Sequence, residues 1–161
     1  MFFMSTTFID FRMKKSTSGY YDLVVSNGDF ETISGFDNAI LLSLFCEKRA
    51  DESEISPPQK RRGCIGNEML DISNFEFGSK LWLLEMARLV QNTVNKAVDF
   101  AIKALQWFID DGYSERITVT GSIKDNSIIL IITFYNKNDI IKKIGVDIWR
   151  NTFVDVDEND L

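Results

Sequence analysis

Histidine is absent from the sequence. Proton transfer near neutral pH would therefore fall to carboxylates, lysines, tyrosines or cysteines. Asp110 and Asp111 form a carboxylate pair. Neighbouring helix residues point apart, however, so these two acids cannot face one reacting bond, and a polar helix end before Gly112 is the simpler reading. Glu85 stands among Leu83, Leu84 and Met86, where burial would raise its pKa. The plainer reading is a polar-face residue or a partner to Arg88. Cys64 lies near Arg62 and between Gly63 and Gly66, a setting that can activate a thiolate. It has no imidazole to act as its base. Cys46 is the second cysteine. Two thiols without histidine rarely hold zinc, and reduced thiols are the default where no secretory signal is seen. Gly28 and Gly35 lack the spacing and following lysine of a phosphate-binding loop. No catalytic, metal or cofactor site is expected.

The basic run Lys60-Arg61-Arg62-Gly63 is the group best suited to recognition. It can bind an anion, nucleic acid or a carboxylate-rich partner, or stand as a solvated loop. The interface reading is preferred, because loops carry binding and arginine pairs with carboxylates in a bidentate fashion. The expected partner surface comprises Arg49, Lys60, Arg61, Arg62, Gly63 and Cys64, with Phe2, Phe3 and Phe8 from the N-terminal arm. Trp82, Trp107 and Trp149 have apolar neighbours and read as core.

Net charge is −6, against the basic surface that broad nucleic-acid binding requires. Asp147, Asp155, Asp157, Glu158 and Asp160 face only Arg150 near the C-terminus. This end reads as a solvated tail or one that docks on a basic partner. Hydrophobic residues make up 45% of the chain, enough for a core without staples. The first residues lack a basic stretch before their apolar ones, unlike a signal peptide, and the apolar runs are too short to span a bilayer. A soluble, cytosol-made chain is expected.

These side chains need elements to hold them. Residues 1–20 read as an irregular arm. Residues 22–26 and 30–33 read as a β-hairpin about Asn27-Gly28. A helix is expected over residues 39–50, capped by Asp37 or Asn38, with Lys48 and Arg49 in its last turn. Residues 51–78 form a long loop with Pro57-Pro58, of the kind that is functional or disordered. A short helix is expected over 80–89. A longer one over 93–111 carries Val94, Ala97, Val98, Ala101, Leu105, Phe108 and Ile109 at three- and four-residue spacing, and Gly112 stops it. Strands follow at 117–124, 127–135 (central, apolar on both faces) and 140–149. No internal repeat is found. The order predicts an α+β fold: an N-terminal β-hairpin, then two to three helices packed on a small antiparallel sheet. The domain plan is an arm (1–20), one α+β domain (21–150) and an acidic tail (151–161).

The chain resembles the small baseplate wedge protein family of Mu-like contractile-tail phages, named for the forty-sixth Mu gene product. The resemblance rests on Asp22, Gly28-Asp29-Phe30 and Gly35-Phe36-Asp37-Asn38-Ala39-Ile40-Leu41-Leu42-Ser43-Leu44-Phe45. It continues through Lys48-Arg49-Ala50, Arg61-Arg62-Gly63, Gly66 and Gly78-Ser79-Lys80-Leu81-Trp82-Leu83-Leu84. It ends with Ala104-Leu105-Gln106-Trp107-Phe108-Ile109-Asp110-Asp111-Gly112. Cys64-Ile65 stand where the family tends to carry aromatics, and Asn38 where threonine is common.

The family is similar in role to the small wedge subunit of T-even phages. The resemblance implies a non-enzymatic structural subunit, made in the host cytoplasm and then built into the baseplate of a virion or tail-like particle. The implied partners are a larger wedge protein in two copies and other baseplate, hub or tube proteins, with no nucleic acid, membrane or cofactor. Two other readings stand beside it. One is a tail-associated peptidoglycan glycosidase, which needs two carboxylates flanking a cleft. The other is a small regulatory binding protein.

Overall fold

In a computed structural model the chain is described over residues 9–17, 21–69 and 76–156. Phe2, Phe3 and Phe8 lie outside these residues, as do 157–161 of the acidic end. The chain forms two compact units, Met1–Leu41 and Leu42–Leu161.

The first unit is built from short strands: β1 (Ile9–Phe11), β2 (Met13–Lys15), β3 (Tyr21–Leu23), β4 (Val25–Ser26), β5 (Asp29–Phe30) and β6 (Thr32–Ser34). All pairings are antiparallel: β1 with β6, β2 with β3, β4 with β5. The β4–β5 turn is Asn27-Gly28, both at positive φ (52° and 83°), as its sequence foretold. The irregular reading of the arm does not hold over β1 and β2, whose strand partners lie downstream and leave no local period.

These strands also contain a repeat that residue identities hide. Arg12 N–H donates to the Glu31 carbonyl, Glu31 N–H to that of Val24, and Val24 N–H to that of Arg12, closing a ring. Two residues before each ring member sits an aspartate, Asp10, Asp22 or Asp29. Each accepts from the next backbone N–H at 2.7–2.8 Å. The residues between, Phe11, Leu23 and Phe30, are all exposed. The three segments thus share one local geometry. Only aspartate and an apolar neighbour recur, at unequal spacing, so the sequence does not display it.

Helix α1 (Asp37–Phe45) follows. It is shorter than the expected 39–50, and its last turn contains no basic residue. Asn38 is no N-cap: it lies inside the helix and donates to the Phe11 carbonyl at 2.6 Å. The helix stops because the next residues are gripped elsewhere. Ser79 N–H donates to the Cys46 carbonyl and Lys48 N–H to the Ser79 carbonyl, at 2.9 and 2.8 Å. Gly78 (φ +99°) permits this approach; a Cβ there would lie 2.5 Å from the Cys46 carbonyl oxygen.

The long loop is tethered rather than free. Ala50 and Arg61 pair by backbone. A short helix, α2 (Ile65–Met69), interrupts the loop. Asn67 grips both backbone groups of Phe77 at 2.8–2.9 Å. The expected helix over 80–89 shrinks to one 3-10 turn, Leu81–Leu84, whose Leu81, Trp82 and Leu84 are buried. Burial of three of its four residues favours the tight turn over a longer helix with one apolar stripe.

Helix α3 (Gln91–Leu105) continues almost directly into α4 (Trp107–Asp110). Val94, Ala97, Ala101, Ala104, Leu105 and Phe108 are buried, as the spacing requires. Gly112 at φ +78° ends the run. The sheet has order β10-β9-β8-β7 and is antiparallel throughout. Its strands are β7 (Arg116–Lys124), β8 (Ser127–Asn136), β9 (Asp139–Asp147) and β10 (Thr152–Val154).

Helix α3 packs on β7 and β8. Ile128, Leu130, Ile132 and Phe134 of β8 are wholly buried, while Ile129 and Ile131 on its other face are half-buried. The expectation of complete cover on both faces is thus met on one. The β10 strand lies inside the stretch read as tail, 151–161. Three residues are too few for periodicity to register.

Candidate interface site

Arg62 is at the centre of the site. It takes φ +45° and is followed by Gly63 at +140°, which turns its side chain onto its own chain. Its guanidinium donates to Glu47 at 2.7 Å and to both oxygens of Glu85 at 3.0 and 2.9 Å. It also lies over the Trp82 ring, 4.8 Å from the centroid. Hydrogen bonds to Glu85, then to Glu47, hold the guanidinium above its ordinary pKa. Arg62, expected at the partner surface, is thus engaged with carboxylates and an indole of its own chain while remaining exposed.

Arg61 is also engaged within the chain. Its Nε donates to the Ala50 carbonyl at 2.6 Å, and its guanidinium approaches Glu52 at 3.5 Å. Arg49 and Lys60 are exposed and have no ion-pair partner among the described residues. Arg49 lines an open groove of about 400 Å³ with Arg62, Gly63, Cys64, Ile65, Asn67 and Glu76. Ile65 is 75% and Met69 80% exposed, so apolar surface adjoins this charge.

The two cysteines meet here. Cys46 and Cys64 bring their sulfurs to 3.3 Å, both half-buried and both free thiols. Burial, then the hydrogen bond with Cys64, pushes the Cys46 thiol up to about 11. Arg62, the charge that would have activated Cys64, is directed at Glu47, Glu85 and Trp82. The remaining acid candidates are likewise structural. Glu85 is exposed and pairs with Arg62, not with Arg88. Asp110 accepts from Gln106 at 3.0 Å on the helix surface. The tryptophans serve the core: Trp82 donates to the Lys48 carbonyl, Trp107 to Ser43, and Trp149 to the Leu84 carbonyl.

Sequence reasoning missed Asp147. Counted there with the solvated acidic end, it is fully buried. It accepts from Ser127 Oγ at 2.5 Å, from the backbone of Trp149 and Arg150 at 3.0 and 2.9 Å, and from the Arg150 guanidinium at 3.1 Å. The signal available was local: an acid two and three residues before N–H groups of a turn. Glu47 and Glu85 had no such signal, since they lie 15 and 23 residues from Arg62.

Comparison with known proteins places this arrangement in a family. The family model described as "Phage protein GP46" matches residues 36–140. The Mu-like prophage FluMu protein gp46 of Haemophilus influenzae is 32% identical over 114 residues, 71% of this chain and 77% of its own length. Baseplate protein gp46 of Escherichia phage Mu is 30% identical over 105 residues, 64% of this chain and 70% of its own. The matched span contains the Arg62 cluster, both cysteines and the helices that support them. The chain belongs to the phage protein GP46 family.

Proposed function

We propose that this chain is a non-catalytic structural subunit of a contractile-tail baseplate, assembled into a wedge with a larger baseplate protein. The observation that carries the reading is its likeness to a relative named a baseplate protein. The state of the chemistry-bearing groups agrees with it. Arg62 ties Glu47 to Glu85, and Asp147 holds the turn after β9. A subunit of this kind must offer a rigid surface, and the loop is anchored at Arg61, Arg62 and Asn67.

The groups that support a partner face are Arg49 and Lys60, which have no ion-pair partner among the described residues, with exposed Ile65 in Arg49's groove and exposed Met69 further along α2. They suit an acidic and apolar segment of the larger protein. Arg62 lines the same groove, and Arg61 and Arg62 brace the loop that carries it. Phe2, Phe3 and Phe8 are proposed as further contacts.

Co-expression of the tagged chain with the neighbouring tail proteins tests this reading. A larger tail protein is expected to co-elute in size exclusion. Arg49→Glu with Lys60→Glu should weaken the complex at least tenfold without altering the circular dichroism of the lone chain. A chain that elutes alone, with every neighbour present and soluble, would refute the proposal.

A further inference from the structure

We infer that Cys46 and Cys64 form a reversible disulfide that clasps the Arg62–Gly63 loop to the segment leaving α1. The inference rests on the geometry of the second unit alone and stands whether or not the chain is a baseplate subunit.

The sulfurs are already 3.3 Å apart. A disulfide holds them at about 2.05 Å, so closure needs a movement of only about 1 Å. The supports on either side are glycines. Gly78 presses its backbone against Cys46, where a Cβ would lie 3.1 Å from the Cys46 Cβ. A Cβ at Gly66 would stand 3.4 Å from the Cys64 sulfur. Gly78 thus fixes the Cys46 backbone and Cβ, and the absence of a side chain at Gly66 leaves room beside the Cys64 sulfur.

Access differs between the two. Cys64 lines the 400 Å³ groove, while Cys46 lines a narrower one of about 40 Å³. The Cys46 thiol, raised to about 11, stays protonated at neutral pH. Reaction therefore starts at Cys64. The oxidant is a low-mass disulfide such as glutathione disulfide, whose carboxylates suit Arg49 in the same groove, a cation with no ion-pair partner among the described residues. The Cys64 thiolate attacks one sulfur of the reagent, forms a mixed disulfide and releases one glutathione thiolate. Cys46 then gives up its proton to solvent and attacks the Cys64 sulfur, releasing the second glutathione thiolate. The protein loses two hydrogens, and the reagent's one disulfide becomes two thiols. A reducing glutathione pool reverses both steps.

The bond would close a loop from 46 to 64 that contains five tryptic sites, Lys48, Arg49, Lys60, Arg61 and Arg62. This supplies a readout independent of mass. The full-length chain is equilibrated in glutathione buffers of increasing oxidised fraction, then alkylated, weighed intact and digested with trypsin. The expected oxidised product is a monomer two hydrogens lighter that takes no alkyl group. Its tryptic fragments that carry Cys46 and Cys64 stay joined until reductant is added. Its melting temperature should rise by about 5 °C, because cross-linking restricts the unfolded chain. Cys46→Ser should stop at a stable glutathione adduct on Cys64, and Cys64→Ser should take up far less glutathione. The inference is overturned if oxidised wild-type chain carries two glutathiones, forms covalent dimers, or keeps both thiols open to alkylation. A lower melting temperature on closure would also overturn it, since the bond would then strain the loop instead of clasping it.

Discussion

At the scale of single residues, charge is turned inward. Arg62 meets two carboxylates and an indole of its own chain. A planar guanidinium can satisfy all three at once, and an ammonium cannot. Arg62→Ala is expected to lower unfolding free energy by about 1 kcal/mol, the scale of a partly exposed pair with a stacked ring. Arg62→Lys should recover less than half of that; equal urea midpoints for wild type and Arg62→Lys would show that the fork geometry is unimportant. Asp147 should matter more. It is buried, and removing it leaves the Ser127 hydroxyl and two turn N–H groups without their acceptor. Asp147→Ala is expected to cost about 2–4 kcal/mol in the same titration. The basic run itself was legible in the sequence. What each arginine does was not, because its partners come from distant parts of the chain.

At the scale of elements, local signals succeeded where local forces decide the outcome. The α3 helix shows its buried stripe in its spacing, and Asn27-Gly28 and Gly112 take the positive φ their types permit. The end of α1 and the turn at Leu81–Leu84 were read as longer helices. Their limits are set by the pairing of residues 46–48 with Ser79, some thirty positions away. The α3–sheet contact offers a direct test of packing. Gly121 of β7 faces the helix, and a Cβ there would come within 2.6 Å of Val94 and 3.0 Å of Val98. Alanines at 97, 101 and 104 on the buried side of the helix suit the same close approach. Gly121→Val should therefore wedge α3 from the sheet and cost about 1–3 kcal/mol, read from chemical denaturation. A change near zero would mean that the helix can shift freely, contrary to the packing described.

At the scale of the whole molecule, an α+β fold was legible from the order of periodic segments, and membership of the family from motifs between Asp22 and Gly112, most of them inside the matched span 36–140. The short strands of the first unit and the β10 strand were not, since each takes its form from a partner strand rather than from its own pattern. On the proposed function this fold is a fixed part of a baseplate, with Arg49 and Lys60 toward the partner and Arg61 and Arg62 bracing the loop. The most direct test is quantitative mass spectrometry of purified, salt-washed tail particles. The chain is expected in constant ratio to the other baseplate proteins, with no complete baseplates when its gene is deleted. Particles that contain every other baseplate protein but lack this chain would contradict it.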